Sequence, residues 1–201
     1  MTYPMIIQGG MGAGVSNWQL AKAVSQTGQL GVISGTALDT IVSRRLQLGD
    51  PGGHMQRAMG HFPDAGMVDR ILARYYKPAK GSGQRPFRTP PMISLDTDQH
   101  TQELTVLANF AEVFLAKEGH ENPVGTNLLE KVQLPNLYAL YGAMLAGVDY
   151  VIMGAGIPRE IPGVLDLLAT HREVSLKIAV GALNGNRFYT TFDPKVFMQK
   201  K

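Results

Sequence analysis

What most constrains this chain is a rhythm. Short apolar runs each stop at glycine or a polar residue and alternate with helical patterns. Pro4-Met5-Ile6-Ile7-Gln8 stops at Gly9-Gly10, and Leu30 to Ser34 stops at Gly35. Met92 to Leu95, Val124 to Leu129, Tyr150 to Met153 and Leu176 to Val180 read as further strands. Between them, Ser16 with Gln19 has the capping-box form, and 37–76 reads as helical with breaks at 50–53 and near Pro63. Asp98 is placed to cap a helix over 99–118. Pro135 opens one running to Ala146, and Pro162 opens one running to His171-Arg172. Asn184-Gly185 is a hairpin signal with Arg187 to Phe192 as the return strand, and the closing DPKVFMQKK can begin a helix. Apolar strands separated by helices predict an α/β fold with a mainly parallel sheet. An open doubly wound sheet and an eight-fold barrel compete. A complete barrel takes about 250 residues and eight strands. The 201 residues here offer five or six, so either the sheet is open or the chain is the first part of a barrel.

Composition narrows the chemistry. There is no cysteine, which excludes a disulfide framework, a zinc-thiolate site and a cysteine nucleophile, and fits a cytoplasmic protein. Lys and Arg are scattered and the net charge is +3, so no nucleic-acid stripe is expected. No apolar run reaches the roughly 18 residues of a membrane span, and the N-terminus lacks a basic leader region, so no membrane partner is expected. No linker or tandem repeat divides the chain, which reads as one domain.

Small or polar residues occupy three strand ends where core residues would otherwise be expected: Gln8-Gly9-Gly10-Met11-Gly12, Asn127 with Lys131, and Met153-Gly154-Ala155-Gly156. Ligands of parallel α/β folds sit at the carboxyl ends of strands, and glycine there lets backbone approach a flat ring or a phosphate. Tight turns alone explain any one of these clusters; all of them together favour a ligand. The G-x-G-x-x-G fingerprint fails, because its third glycine position falls on Val15 or Asn17, and the P-loop pattern is absent. His54, His61, His100, His120 and His171 form no metal-binding pair, and the first two are expected to be solvated. Asp96 and Asp98 have the look of a metal pair, but capping is the simpler role for Asp98. Lys80, Arg85 and Arg88 form a basic loop that solvation explains. Trp18 and Tyr138 are expected in the core.

The segment Pro4 to Gly12 resembles the opening strand of the nitronate monooxygenase (2-nitropropane dioxygenase) family, which includes flavin-dependent enoyl reductases. Leu30 to Gly35, Gly125 to Lys131 and Ala146 to Pro158 resemble its next segments, in the family's order. The resemblance implies a TIM barrel holding FMN, of which this chain would be the amino-terminal part, a partial barrel of five to six parallel strands. It implies that Gly9, Gly10 and Met11, beside Gln8, lie against the flavin ring. Asn127 and Lys131 would offer donors to its polar edge, and Gly154 and Gly156 would keep the next loop thin. The implied activity is oxidation of an alkyl nitronate with oxygen, or reduction of an activated alkene. A non-catalytic α/β small-ligand module is the competing class. The family's catalytic histidine and late phosphate-binding loops have no counterpart after Phe192, so little turnover is expected of this chain alone. Its unpaired strand edges would favour self-association into a homo-oligomer.

Overall fold

The computed structural model describes residues 3–78, 86–179 and 187–199. Its first regular element is α1 (Trp18–Ser25). The helix is capped by Asn17, whose side chain accepts from the Gln19 and Leu20 amides at 3.1 Å each. Ser16, the expected cap, is buried and takes a hydrogen bond from Gln8 Nε2 at 3.0 Å instead. Strand β1 (Gly31–Ser34) follows, fully buried. Next come α2 (Leu38–Gln47), α3 (His54–Met59) and α4 (Ala65–Tyr75), broken near 50–53 and Pro63 as the sequence predicts. The long α5 (Gln99–Lys117) starts at Asp98, which accepts from the Thr101 amide at 2.8 Å. Strand β2 (Val124–Leu129), α6 (Asn136–Leu145), β3 (Tyr150–Gly154) and α7 (Ile161–Ala169) keep the alternation. Strands β4 (Val174–Ile178) and β5 (Phe188–Phe192) precede α8 (Pro194–Gln199).

The strands fall into two sheets, one parallel and one antiparallel. Strands β1, β2 and β3 form a parallel sheet in chain order, with Ser34 opposite Asn127 and Asn127 opposite Ile152. Strands β4 and β5 form a separate antiparallel pair. The return strand over 187–192 is thus present, whereas the strand expected to join the parallel sheet at 176–180 pairs elsewhere over its described part. The Asn184-Gly185 turn and Val180 lie outside the described residues. No closed barrel forms among the described residues. The opening strand shrinks to a single parallel bridge between Ile7 and Leu30, because the Gln29 side chain takes the Met5 and Ile6 amides. Met92 to Leu95 is not a strand: Thr97 Oγ1 bonds both the amide and the carbonyl of Ser94, a local turn that competes with extended pairing.

The core sits around α5, which packs against α1, α2, α3, α4 and α6 and is buried on nearly all sides. Two glycines permit the closest approaches. A Cβ on Gly31 would overlap the Ala21 carbonyl of α1, and one on Gly142 would overlap the Val106 carbonyl of α5. The carboxylates on α5 are buried and paired: Glu112 with Arg45, and Glu103 with Arg70 at 2.7 Å. Tyr138 is in the core, and Trp18 packs at its edge against the His54 ring, 5.0 Å between centroids. His54 is half-buried, and exposed His61 stacks on Phe114 at 4.5 Å, so both rings have packing partners beyond solvent. No helix among the described residues is long and apolar enough to cross a membrane.

Candidate functional site

Parallel strands in chain order bring their carboxyl ends to one edge of the sheet. Residues that oppose one another in the register share a face, so Val32, Ser34, Gly125, Asn127, Ile152 and Gly154 line one side. The turn after Gln8 folds over this side. Gln8 Oε1 accepts from the Val32 amide at 2.9 Å while its Nε2 holds Ser16. Both ends of that amide are therefore engaged with the protein, and Gln8 fixes the turn. Gly10 adopts φ +54°, and a Cβ there would overlap Val32 and come within 2.9 Å of the Asn127 Cβ. Only glycine lets the backbone lie this close to β1 and β2.

Asn127 is the centre of the cluster. It is 6% exposed, and its Nδ2 donates to the Gly9 carbonyl at 3.1 Å and lies 3.3 Å from Met11 Sδ. Its Oδ1 is buried with no hydrogen-bond partner among the described residues. A Cβ on Gly154 would sit 3.6 Å from that same Oδ1. Gly9 is exposed, and a Cβ there would meet nothing nearer than Met11 Cγ at 4.0 Å. An unpaired acceptor thus sits beside open glycine backbone. The sequence reading expected Asn127 to offer a donor; here the donor is used within the protein, and the acceptor is left unpaired among the described residues.

The other two expected residues stand apart from this centre. Gly156 is exposed and covered on one side by Glu130, whose carboxylate a Cβ on Gly156 would strike. The Glu130 amide also donates to the Gly154 carbonyl at 2.8 Å, so Glu130 shapes this loop, a role the sequence reading did not assign. Lys131 is exposed and lines a different space, a cavity of about 650 Å³ between the segments following β1 and β2. The sequence placed Lys131 beside Asn127, but the side chain is exposed and does not join that centre.

That cavity was missed by sequence reasoning. Its lining includes Asp39 from the first turn of α2 and Asn109 from the middle of α5. Burial pushes the Asp39 carboxyl above its usual range, against hydrogen bonds from its own amide and that of Thr40. The one sequence signal was a lone Asn109 within the apolar run Val106 to Ala111. No protein family, curated protein or solved structure matches the chain.

Proposed function

We propose that this chain is the flavin-binding part of an FMN-dependent oxidoreductase of the nitronate monooxygenase type, built as a partial TIM barrel. The observation that carries the reading is the buried, unpaired Oδ1 of Asn127 beside the open backbone of Gly9. A flavin ring is flat and presents one N–H donor on its polar edge between two carbonyl acceptors. Oδ1 would take that N–H, and the thin backbone at Gly9 and Gly154 would accept the face or edge of the ring. The strand order adds support. With the Ile7–Leu30 bridge, four parallel segments run in chain order, one more than the half of a doubly wound sheet holds before its reversal, as in a singly wound barrel.

In this reading bound FMN would supply the redox chemistry, two-electron exchange between a nitronate and oxygen. The chain's own residues bind and orient. Gln8 fixes the turn that carries Gly9 and Gly10, Asn127 anchors that turn to β2, and Glu130 shapes the loop that carries Gly154 and Gly156.

The test is to add FMN to the purified chain, remove free flavin by gel filtration, and record the absorbance near ~450 nm. A flavin difference spectrum at high FMN concentration, weaker for Asn127→Leu, is the expected result, with little flavin retained through the column. A colourless protein that gives no flavin difference spectrum at any FMN concentration would exclude this reading and leave the non-catalytic class.

A further inference from the structure

We propose that the 650 Å³ cavity between α2, α5 and the segment after β2 is a second binding site, specific for a small organic cation with an apolar body. Asn127, Gly9, Gly10 and Gly154 are not part of its lining, so it is distinct from the Asn127 centre and independent of the flavin reading.

Three observations converge on this ligand. The walls are apolar, with Pro90, Leu128, Leu134 and Pro135 among them, which suits a hydrocarbon body. At the floor is Asn109, 2% exposed; its Nδ2 donates to the Thr105 carbonyl at 3.0 Å, and its Oδ1 has no partner among the described residues. A buried acceptor left unmet is costly, so a ligand that brings a donor gains more here than at the surface. Asp39 then adds a carboxylate to the same lining, and no basic group pairs with it among the described residues. Two acceptors, one of them anionic, call for a ligand with several donors and a positive charge, which a primary ammonium provides. Asn136 does not compete for it as a donor, since its Nδ2 is given to the Leu129 carbonyl at 3.3 Å. Lys131 is the one cation of the described lining, and it is exposed, so water screens its charge.

The test is calorimetric titration of the 201-residue chain with n-hexylammonium, n-hexanol and hexanoate, which share one hydrocarbon body. Hexylammonium should bind at least about tenfold more tightly than hexanol, with hexanoate weakest. Asp39→Asn should remove most of that preference, and Asn109→Leu should weaken hexylammonium while leaving hexanol unchanged. Far-UV circular dichroism establishes that each variant is folded. If Asn109→Leu fails to fold, Asp39→Asn decides alone. Equal binding of the alcohol and the ammonium, tighter binding of hexanoate, no saturable binding of hexylammonium, or a preference untouched by Asp39→Asn would each overturn the proposal.

Discussion

Asn127 and Gly9 are 118 residues apart and joined by one hydrogen bond, from Asn127 Nδ2 to the Gly9 carbonyl at 3.1 Å. This bond gives the two possible replacements opposite signatures. Asn127→Leu removes the donor, but Gly9 is exposed and water can meet its carbonyl; the unpaired Oδ1 disappears at the same time. Stability should change by less than about 1 kcal/mol. Asn127→Asp puts a carboxylate oxygen against the Gly9 carbonyl, two acceptors face to face, and should cost about 1–3 kcal/mol at neutral pH. Urea unfolding of both variants checks the order.

The close crossing of α5 and α6 makes a second prediction. Gly142→Ala would drive a methyl group into the Val106 backbone, with Val106 C at 2.9 Å and Cα at 3.1 Å as further neighbours. Backbone cannot rotate aside, so the helices must separate, at about 1–3 kcal/mol or more. Gly163, in the first turn of α7, is the contrast: a Cβ there meets nothing within 4 Å. Gly163→Ala should stabilise by about 0.5–1 kcal/mol. Thermal melts of the two variants should therefore shift in opposite directions.

Where local chemistry decides structure, the sequence was readable. Asp98 announces α5, and the run from Val124 to Leu129 announces β2. The glycines and Asn127 at strand ends pointed to one edge, because a parallel sheet has nowhere else to put them. What failed was settled by contacts distant in sequence or by competing side chains. Ser16 turned inward to Gln8 and left the cap to Asn17, and Gln29 took amides that a full opening strand would have used. Lys131 was expected beside Asn127, yet a side chain with a long stem can cover apolar surface and still end in solvent. Asn109 drew no attention, since a polar residue within the apolar run Val106 to Ala111 acquires meaning only once the cavity beside it is known.

Glu112 ties acid stability to the core. Its carboxylate is fully buried, pairs with Arg45, and accepts the Trp18 amide at 2.9 Å. Burial raises its proton affinity, and Arg45 opposes that only in part. A carboxyl that holds its proton more readily in the folded than in the unfolded state stabilises below its ordinary value of 4.5 and loses that contribution as pH rises through the folded value. Glu112→Gln should flatten this part of the stability–pH curve. Arg45→Met, which strands the carboxylate, should cost about 3–5 kcal/mol at neutral pH and less near pH ~4.5. Chemical denaturation across pH 4–8 reads both effects.

Asp98 works with the opposite sign. It sits at the start of a 19-residue helix, and its carboxylate accepts the Thr101 amide at 2.8 Å. That backbone hydrogen bond is the main reason its proton affinity is lowered. Removing the cap in Asp98→Ala should cost about 1 kcal/mol at neutral pH, within the roughly 0.5–2 kcal/mol range for such caps. A lowered folded pKa means that the charged cap contributes fully above its ordinary value of 3.8 and fades as pH falls through the folded value. The difference between wild type and Asp98→Ala should therefore shrink in acid. Asp98→Asn separates charge from geometry, because its amide oxygen can still accept from Thr101 but does not titrate. It should retain most of the stability at neutral pH and differ from Asp98→Ala by an amount that does not change with pH. Urea midpoints for the three proteins at pH 7 and at pH ~3 decide the matter. If the gap between wild type and Asp98→Ala is equally wide at both pH values, ionised Asp98 is not what caps α5.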